Sequence, residues 1–263
     1  MTASGRGPRG GRAGGGDPAH RERAGPSGPA AGGRADREVV EALDRLLQER
    51  YGGDGSGLLL GQVGRDPVDV LVATVLSQAT SDRASLAAFT RLKERFPRWE
   101  MVLEAGPAEL EKVIAPAGLG RQKATRVVDI LKAIQARAGR ISLGFLKGAP
   151  PGEAAHFLEG LPGVGPKTAA CVLLFALGQA AFPVDTHVYR VARRVGLIPE
   201  KVDRARAQKI LQESVDPERY LRLHVNLIAH GREVCRARRP RCSECPVRSV
   251  CDAAGTPANP PAP

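Results

Sequence analysis

The chain has 263 residues, a formal net charge of +11, a pI near 10.0 and only 4% aromatic residues. This length allows two small domains, and the charge fits a polyanionic partner such as nucleic acid, although a basic surface without a specific partner fits it equally well. No apolar run is long enough to span a membrane and the start lacks the apolar core of a secretory signal, so we expect a cytoplasmic protein.

The two ends of the chain differ in composition from the rest. Residues 1–35 are mainly Gly, Arg, Ala and Pro, which cannot bury enough apolar surface to offset the entropy of ordering. We therefore predict a disordered basic tail, and a second short disordered tail over residues 254–263. The arginines of the first tail would add salt-dependent contacts with phosphates, or the tail is inert; the sequence leaves both open.

Between the tails, apolar residues recur at helical spacing and no alternating pattern suggests a sheet, which predicts an all-α fold of many short helices. Asp36 is an expected N-cap of the first helix, and the glycines at 52–57 end it. Asp66 and Pro67 open a helix, expected to run to residue 80, that is apolar on nearly every face. The further predicted helices cover residues 81–97, 99–105, 107–114, 121–138, 154–160, 166–177, 186–196, 202–215 and 217–234.

A glycine-rich turn, LPGVG at 161–165, precedes one of these helices, with Pro166 at the expected first helical position. Glycine allows a tight turn with bare backbone N–H groups, and such groups at a helix N-terminus bind anions. We predict that Gly163, Val164 and Gly165 bind one phosphate of a DNA strand, while a purely structural turn is the alternative.

Other basic residues are candidates for phosphate contacts. Residues 115–120 form a second glycine-rich turn, and Arg121 and Lys123 follow it at the start of a helix. This turn either holds a second phosphate or only connects two helices. Arg190 lies on the helix after Asp185, away from its apolar face, and is expected to face the phosphate backbone.

Lys167 and Asp185 lie on either side of the apolar helix that follows the hairpin turn. Lys167 falls in the first turn of that helix, where the positive end of the dipole disfavours an ammonium and favours the nucleophilic amine. A surface lysine that binds phosphate is the simpler alternative. Asp185 precedes the next helix, so it is an N-cap, a carboxylate that stabilises a sugar cation or relays a proton, or both.

Four cysteines, spaced C-x6-C-x2-C-x5-C, lie close together near the C-terminus. Four thiolates in so short a segment hold one tetrahedral metal ion or a [4Fe–4S] cluster, and the spacing does not decide between zinc and iron–sulfur. The predicted ligands are Cys235, Cys242, Cys245 and Cys251. Cys171, in the middle of an apolar helix, is expected to be a buried structural thiol.

The motifs LPGVGPKTA and VDTHVYRVARRVG and the cysteine spacing, in this order, resemble the endonuclease III family of DNA glycosylases in the helix–hairpin–helix superfamily. The resemblance covers residues 36–253. It implies a six-helix barrel over residues 65–180 and an iron–sulfur domain formed by residues 36–64 and 181–253, with DNA in the groove between them. It also implies that the cysteines hold a [4Fe–4S] cluster.

By the same resemblance, Lys167 matches the Schiff-base lysine of the family and Asp185 its catalytic aspartate. The expected reaction is removal of an oxidised pyrimidine and cleavage of the abasic site by β-elimination. The expected partner is double-stranded DNA with damaged bases or abasic sites, bound by a monomer in the bacterial nucleoid. There are three alternatives. The first is an adenine glycosylase, which is disfavoured because that branch of the superfamily lacks the lysine. The others are a lyase acting only on abasic sites and a non-catalytic DNA-binding module with a redox cluster.

The early helix departs from the family pattern. The family often has LSxQxTD there, and its glutamine enters the gap left by the flipped base. In this chain Ala79 takes the place of that glutamine and Gln78 lies one position earlier. One residue turns a helical side chain by about 100°, so the sequence leaves open whether Gln78 fills the gap.

Overall fold

The structure, a computed structural model, describes residues 37–254, and over that range it contains α-helices and short 3-10 turns but no strand. The predicted all-α fold is confirmed. The expected cap Asp36, the N-terminal tail and residues 255–263 lie outside the described range. None of the described helices has both the length and the hydropathy that a membrane span requires.

Apart from the short α2, which the sequence did not predict, the α-helices begin and end close to the predicted positions. In chain order they are α1 (Arg37–Tyr51), α2 (Leu59–Gln62), α3 (Pro67–Leu76), α4 (Asp82–Arg95), α5 (Trp99–Ile114), α6 (Gly120–Ala138), α7 (Pro151–Glu159), α8 (Pro166–Phe175), α9 (Thr186–Val195), α10 (Arg204–Ser214) and α11 (Tyr220–Glu233).

Local capping explains several of these boundaries. Asp66 accepts hydrogen bonds from the N–H groups of Val68 and Asp69, at 2.9 and 3.0 Å, and so caps α3 as predicted. The helix ends at Leu76, four residues earlier than predicted, and Ala79 beyond it has a left-handed backbone with φ of 53°. Gly106, with φ of 74°, kinks α5 between its two predicted halves.

The buried apolar side chains form two hydrophobic cores. The first core draws on residues from Leu59 to Ala181, and the second combines α1 with residues from Phe182 to Val247. The predicted domain boundary at residue 64 differs from this division, because Leu59 and Val63 of the α2 segment pack in the first core. Whether each core corresponds to an independent domain stays a prediction.

Ion pairs and helix contacts join the two cores beside a cavity of about 640 Å³. Arg232 of α11 binds Asp82 of α4 with two hydrogen bonds of 2.9 and 3.0 Å, a bidentate pair across 150 residues of sequence. Helix α8 belongs to the first core, but it also contacts α10 and α11. This arrangement places side chains from both cores around one cavity.

Candidate active site

Lys167 is the second residue of α8, and its half-buried side chain lines the cavity between the cores. Pro166 occupies the first helical position, as predicted. Cys171 lies one helical turn later, and burial raises the pKa of its thiol, while the nearby Lys167 amine opposes this shift. Cys171 is 1% exposed, which agrees with its predicted burial, but it lies in the wall of the cavity.

Asp185 lines the same cavity and caps α9. Its Oδ1 accepts hydrogen bonds from the backbone N–H groups of His187 and Val188, at 2.9 and 2.7 Å. Both bonds use one carboxylate oxygen, so Oδ2 stays available to a ligand in the cavity. Within residues 37–254 no ion pair shorter than 4.0 Å joins Asp185 to Lys167, and the amine is therefore not sequestered by the carboxylate.

His224 of α11 forms part of the cavity wall and is 2% exposed. Its Nδ1 lies 2.9 Å from the carbonyl oxygen of Pro183, two residues before Asp185. Burial lowers the pKa of His224, and the nearby Lys167 amine lowers it further, while Asp185 opposes this shift. The imidazole is therefore neutral at physiological pH.

The predicted phosphate-binding turn leads directly into α8. Gly163 has φ of 70°, a conformation that favours glycine. In the described part of the chain, the backbone N–H groups of Gly163, Gly165 and Lys167 have no backbone acceptor, so they are free to bind an anion. The prediction for Val164 is wrong, because its N–H donates to Leu161 O at 3.1 Å and its side chain is buried.

Arg126 of α6 lies between this hairpin turn and the end of α3. A Cβ atom at Gly163 would come within 2.7 Å of its Nε, and its Nη1 donates to Oε1 of Gln78 at 3.1 Å. Gln78 and Ala79 both line the cavity, with Gln78 half-buried and Ala79 exposed. Arg126 thus connects the two segments for which the sequence predicts DNA contacts.

Two of the predicted DNA-binding residues have structural roles instead. Lys123 is 4% exposed, and its amine donates to Leu76 O, Thr80 Oγ1 and Ala117 O, so it cannot reach a phosphate. Arg190 donates to Cys235 O at 2.9 Å and to Gly231 O at 2.8 Å, which fastens α9 to the start of the cysteine segment. Both predictions of phosphate contact are therefore wrong, whereas the side chain of Arg121 is exposed.

A second cavity, of about 510 Å³, is lined by the cysteines that the sequence predicts as ligands, Cys235, Cys242, Cys245 and Cys251. Among residues 37–254, no three His, Cys, Asp or Glu side chains converge closely enough to hold one metal ion. A cubane cluster needs no such convergence, since each thiolate binds a different iron. The residues therefore fit a [4Fe–4S] cluster better than a single zinc ion.

The surroundings of these thiols support the same conclusion. Burial raises the pKa of Cys251 to about 11 and also raises the pKa of Cys245, and the neighbouring cysteines add to both shifts. Four adjacent thiolates thus need compensating positive charge, which a metal cluster supplies. Nη1 of Arg194 donates to Cys235 Sγ at 3.4 Å, and His230 Nε2 lies 3.7 Å from Cys245 Sγ.

Comparison with known proteins gives two family matches. Residues 72–217 match the HhH-GPD superfamily of base excision DNA repair proteins, and residues 235–251 match the iron–sulfur binding domain of endonuclease III. Endonuclease III of Thermotoga maritima is 33% identical over 191 residues, which cover 71% of this chain and 83% of that protein. An Arabidopsis thaliana protein described as a DNA glycosylase is 38% identical over 165 residues, although the chain spans only 56% of its length.

The fold has similar solved structures as well. A structure of endonuclease III trapped as a covalent intermediate with DNA superposes with a TM-score of 0.70 and 28% identity, and the match covers 83% of this chain and 97% of that one. The fold and the site thus define a base excision DNA glycosylase of the helix–hairpin–helix superfamily. Within that superfamily the chain belongs to the endonuclease III family, an enzyme class of DNA glycosylases and lyases with a [4Fe–4S] cluster.

Three residues that the structure brings to the site are absent from the sequence motifs: Arg126, His224 and Arg232. Each makes a contact with a residue that is distant in the sequence, as in the pair of Arg126 and Gln78, which are 48 positions apart. Only one local signal existed, since a histidine in an otherwise apolar stretch of α11 was worth examining. Such a histidine is usually a satisfied core residue, so this signal alone would not have identified the site.

Proposed function

We propose that this chain is a bifunctional enzyme that removes oxidised pyrimidines from double-stranded DNA and then cleaves the abasic site. The observation that carries this proposal is that Lys167 and the free Oδ2 of Asp185 face one cavity of about 640 Å³, beside a turn with unpaired N–H groups. The similarity to an endonuclease III trapped covalently on DNA supports it.

The first step is displacement of the damaged base. The sugar carbon C1′ is inaccessible in a stacked duplex, so the nucleotide is flipped into the cavity. The Lys167 amine forms a bond to C1′, and the glycosidic bond breaks with its electron pair leaving on the base, which takes up a proton. Asp185 stabilises the positive charge that develops on the sugar and accepts a proton from the amine.

The second step is strand cleavage. The C1′–O4′ bond breaks with its electron pair going to O4′, which takes up a proton, and the amine at C1′ becomes a protonated imine that acidifies the proton on C2′. Transfer of that proton to a water molecule forms a C2′–C3′ double bond and expels the 3′ phosphate with the electron pair of the C3′–O bond. Water then hydrolyses the imine, which releases Lys167 and the cleaved DNA.

Four residues are assigned to binding the duplex around the flipped nucleotide. The free N–H groups at Gly163 and Gly165 bind one phosphate. Leu119 is exposed, with 56% of its surface accessible, and has φ of 51°. It projects from the turn at residues 115–120, which is held in place by hydrogen bonds from Thr80 and Lys123 to the carbonyl oxygen of Ala117. We assign Leu119 to an apolar wedge between base steps, next to Gln78 in the vacated space.

The basic residue Arg121 follows that loop and is assigned to a phosphate contact. The four cysteines are assigned as the cluster ligands, and Arg194 and Arg190 hold their loop against α9. Since every residue of the proposed site comes from one chain, we expect the monomer to be active on its own.

Borohydride trapping tests the covalent step. We would incubate the protein with two duplexes, one with an abasic site and one with thymine glycol, and reduce the mixture. A covalent adduct on both duplexes is expected, with loss of both adducts in Lys167→Ala. Lys112→Ala, which removes an exposed lysine paired only with Glu109, is the matched control and should trap as well as the unchanged protein.

The pattern of adducts separates the alternatives. An adduct on the abasic duplex alone identifies a lyase without glycosylase activity. No adduct on either duplex, from protein whose iron absorbance is intact, would refute the role of Lys167 and favour a DNA-binding module. Trapping that survives in Lys167→Ala would assign the nucleophile to another amine.

A further inference from the structure

His224 has a fixed tautomer. The carbonyl oxygen of Pro183 can only accept a hydrogen bond, so the contact of 2.9 Å requires that Nδ1 of His224 carries the proton. The ring is neutral, because burial and the Lys167 amine lower its pKa against the opposing effect of Asp185. In a neutral imidazole with its proton on Nδ1, Nε2 carries a lone pair and is an acceptor.

The ring is also held in one orientation. The rings of Phe175 and Phe182 make edge-to-face contacts with it at centroid distances of 5.8 and 6.2 Å. Together with the hydrogen bond to Pro183, these contacts prevent the ring from turning. The position of the Nε2 lone pair is therefore set by the fold.

Nε2 of His224 is open to the cavity. Within residues 37–254, only two side-chain N or O atoms are both sealed from solvent and without a hydrogen-bond partner, and they belong to Gln179 and Arg219. His224 Nε2 has no hydrogen-bond partner in this part of the chain either, yet it is not one of these two sealed atoms. Solvent therefore reaches Nε2. Since His224 is 2% exposed and lines the catalytic cavity, the cavity is where that contact occurs.

Other side chains around the cavity complete a site for a flat, carbonyl-bearing ligand. Arg204 and Gln208 lie one turn apart on α10, and both line the cavity. Neither forms a side-chain hydrogen bond within the described residues, so their N–H groups are available as donors. Phe175 and Ile228 contribute apolar surface that suits the faces of a ring.

We propose that His224 determines which damaged pyrimidine the enzyme accepts, by receiving a hydrogen bond at Nε2 from the N3–H group of the flipped base. This proposal rests on the glycosylase function proposed above. Thymine- and uracil-derived lesions carry N3–H between two carbonyl groups. They match a fixed acceptor in a cavity that the donors of Arg204 and Gln208 also line. Cytosine-derived lesions carry a lone pair at N3, which would face the lone pair of Nε2.

Two lesions that differ only at this edge provide the test. 5-Hydroxyuracil and 5-hydroxycytosine share the oxidised C5, but only the first has N3–H. We would measure single-turnover excision of each, placed opposite guanine in one sequence context. The unchanged protein should excise 5-hydroxyuracil about tenfold faster or more, because a site built for a donor leaves its own polar group unpaired with the wrong ligand.

Since the two bases also differ as leaving groups, the decisive quantity is the change in this ratio on substitution. His224→Asn places an amide near the position of Nδ1, where it can still donate to Pro183 O, but it removes the acceptor at Nε2. The ratio should fall about tenfold in this variant. His224→Gln places a rotatable amide near Nε2 that can accept or donate, so the ratio should fall less than in His224→Asn.

Cleavage of a preformed abasic site is the internal control, since that substrate has no base to recognise. It is measured in each variant to normalise the excision rates, and His156→Asn, which changes an exposed histidine on α7, should alter neither activity. Abasic cleavage with an unchanged ratio in both His224 variants would overturn the inference while leaving the proposed function intact. Absence of abasic cleavage by the unchanged protein would instead overturn the proposed function.

A second measurement needs no variant. Dihydrothymine and its N3-methyl derivative differ by the proton that His224 is proposed to bind, and the unchanged protein should excise the methylated base at least about tenfold more slowly. Equal rates would overturn the inference even if both His224 variants failed to fold.

Discussion

Two glycine-rich turns of this protein look alike in sequence and differ in what they support. The first turn (residues 115–120) enters α6 and the second turn (residues 161–165) enters α8, and a lysine follows each within one helical turn. Lys123 after the first turn is 4% exposed and bonded to three internal oxygens, whereas Lys167 after the second lines the cavity between the two cores.

The difference arises from the position of the lysine on its helix. Lys167 is the second residue of α8, where a side chain points back past the helix N-terminus toward the turn and the cavity. Lys123 is the fourth residue of α6, and its amine reaches the C-terminal carbonyl of α3 at Leu76 and the turn at Ala117. Lys123 thus stabilises the first turn through hydrogen bonds, while the amine of Lys167 is available to a ligand in the cavity.

The largest expected effect is a loss of activity without a loss of stability, on substitution of Lys167. Lys167→Ala should reduce cleavage of an abasic duplex by at least about a thousandfold, since Lys167 is the proposed nucleophile. Its free energy of unfolding should change by less than about 0.5 kcal/mol, because the side chain is half-buried and makes few contacts. Gel-based nicking assays and urea denaturation measure the two quantities. A large loss of stability would place Lys167 with Lys123 as a structural residue.

The second expected effect is a loss of stability without a matching loss of activity, on substitution of Lys123. Lys123→Met keeps the apolar stem but removes the amine, which takes one donor away from the buried carbonyl oxygens of Leu76 and Ala117. We expect the free energy of unfolding to fall by about 2–4 kcal/mol. Urea denaturation measures the loss, and nicking per folded molecule, below the unfolding transition, should stay within about threefold. Nicking that falls far more than the folded fraction would give Lys123 a functional role.

A pair of glycine substitutions compares the turns themselves. Gly118 and Gly163 have φ of 65° and 70°, so alanine at either position strains the backbone by about 1–2 kcal/mol. A Cβ at Gly118 meets nothing within 4 Å, whereas one at Gly163 comes within 2.7 Å of Arg126 Nε. Gly163→Ala should therefore weaken binding to a duplex with a stable abasic analogue by about five- to tenfold, the size of one phosphate contact at a helix N-terminus. Fluorescence anisotropy measures this, and equal weakening in Gly118→Ala would remove the distinction between the turns.

The smallest expected effect concerns pH. His224 supports the segment that carries Asp185, and burial holds its pKa below the usual value near 6.5. As pH falls below 6.5, the unfolded chain takes up a proton that the folded chain does not, so stability falls, with a limiting slope of about 1.4 kcal/mol per pH unit. Between pH 6.5 and 5.5 we expect His224 to account for about 1 kcal/mol of the loss.

Comparison with His224→Asn isolates this contribution. The variant should lose about 1 kcal/mol less over the same interval, measured by urea denaturation at both pH values. Lys123 is protonated in the unfolded chain at either pH, so Lys123→Met should keep the full acid sensitivity. Identical slopes in His224→Asn and the unchanged protein would show that His224 takes up its proton over the same pH range in the folded and unfolded chain.

Much of the fold could be predicted because its signals are local. The cap at Asp66, the proline at the start of α8 and the kink at Gly106 follow from side chains that act on their own backbone segments. The end of α3 could not be predicted in this way. Its last residues are apolar and compatible with a helix, but Lys123 and Thr80 bond the end of α3 to the first turn.

The sequence by itself determined the helical class, the glycine turn before Lys167 and the cysteine spacing, since each depends on residues within a few positions of one another. Only the tertiary structure decided which basic residues are free, because the acceptors of Lys123 and Arg190 come from distant segments. It likewise oriented His224 toward the cavity through the carbonyl of Pro183, 41 residues away. Burial and hydrogen-bond partners are properties of the packed chain, and a local pattern does not contain them.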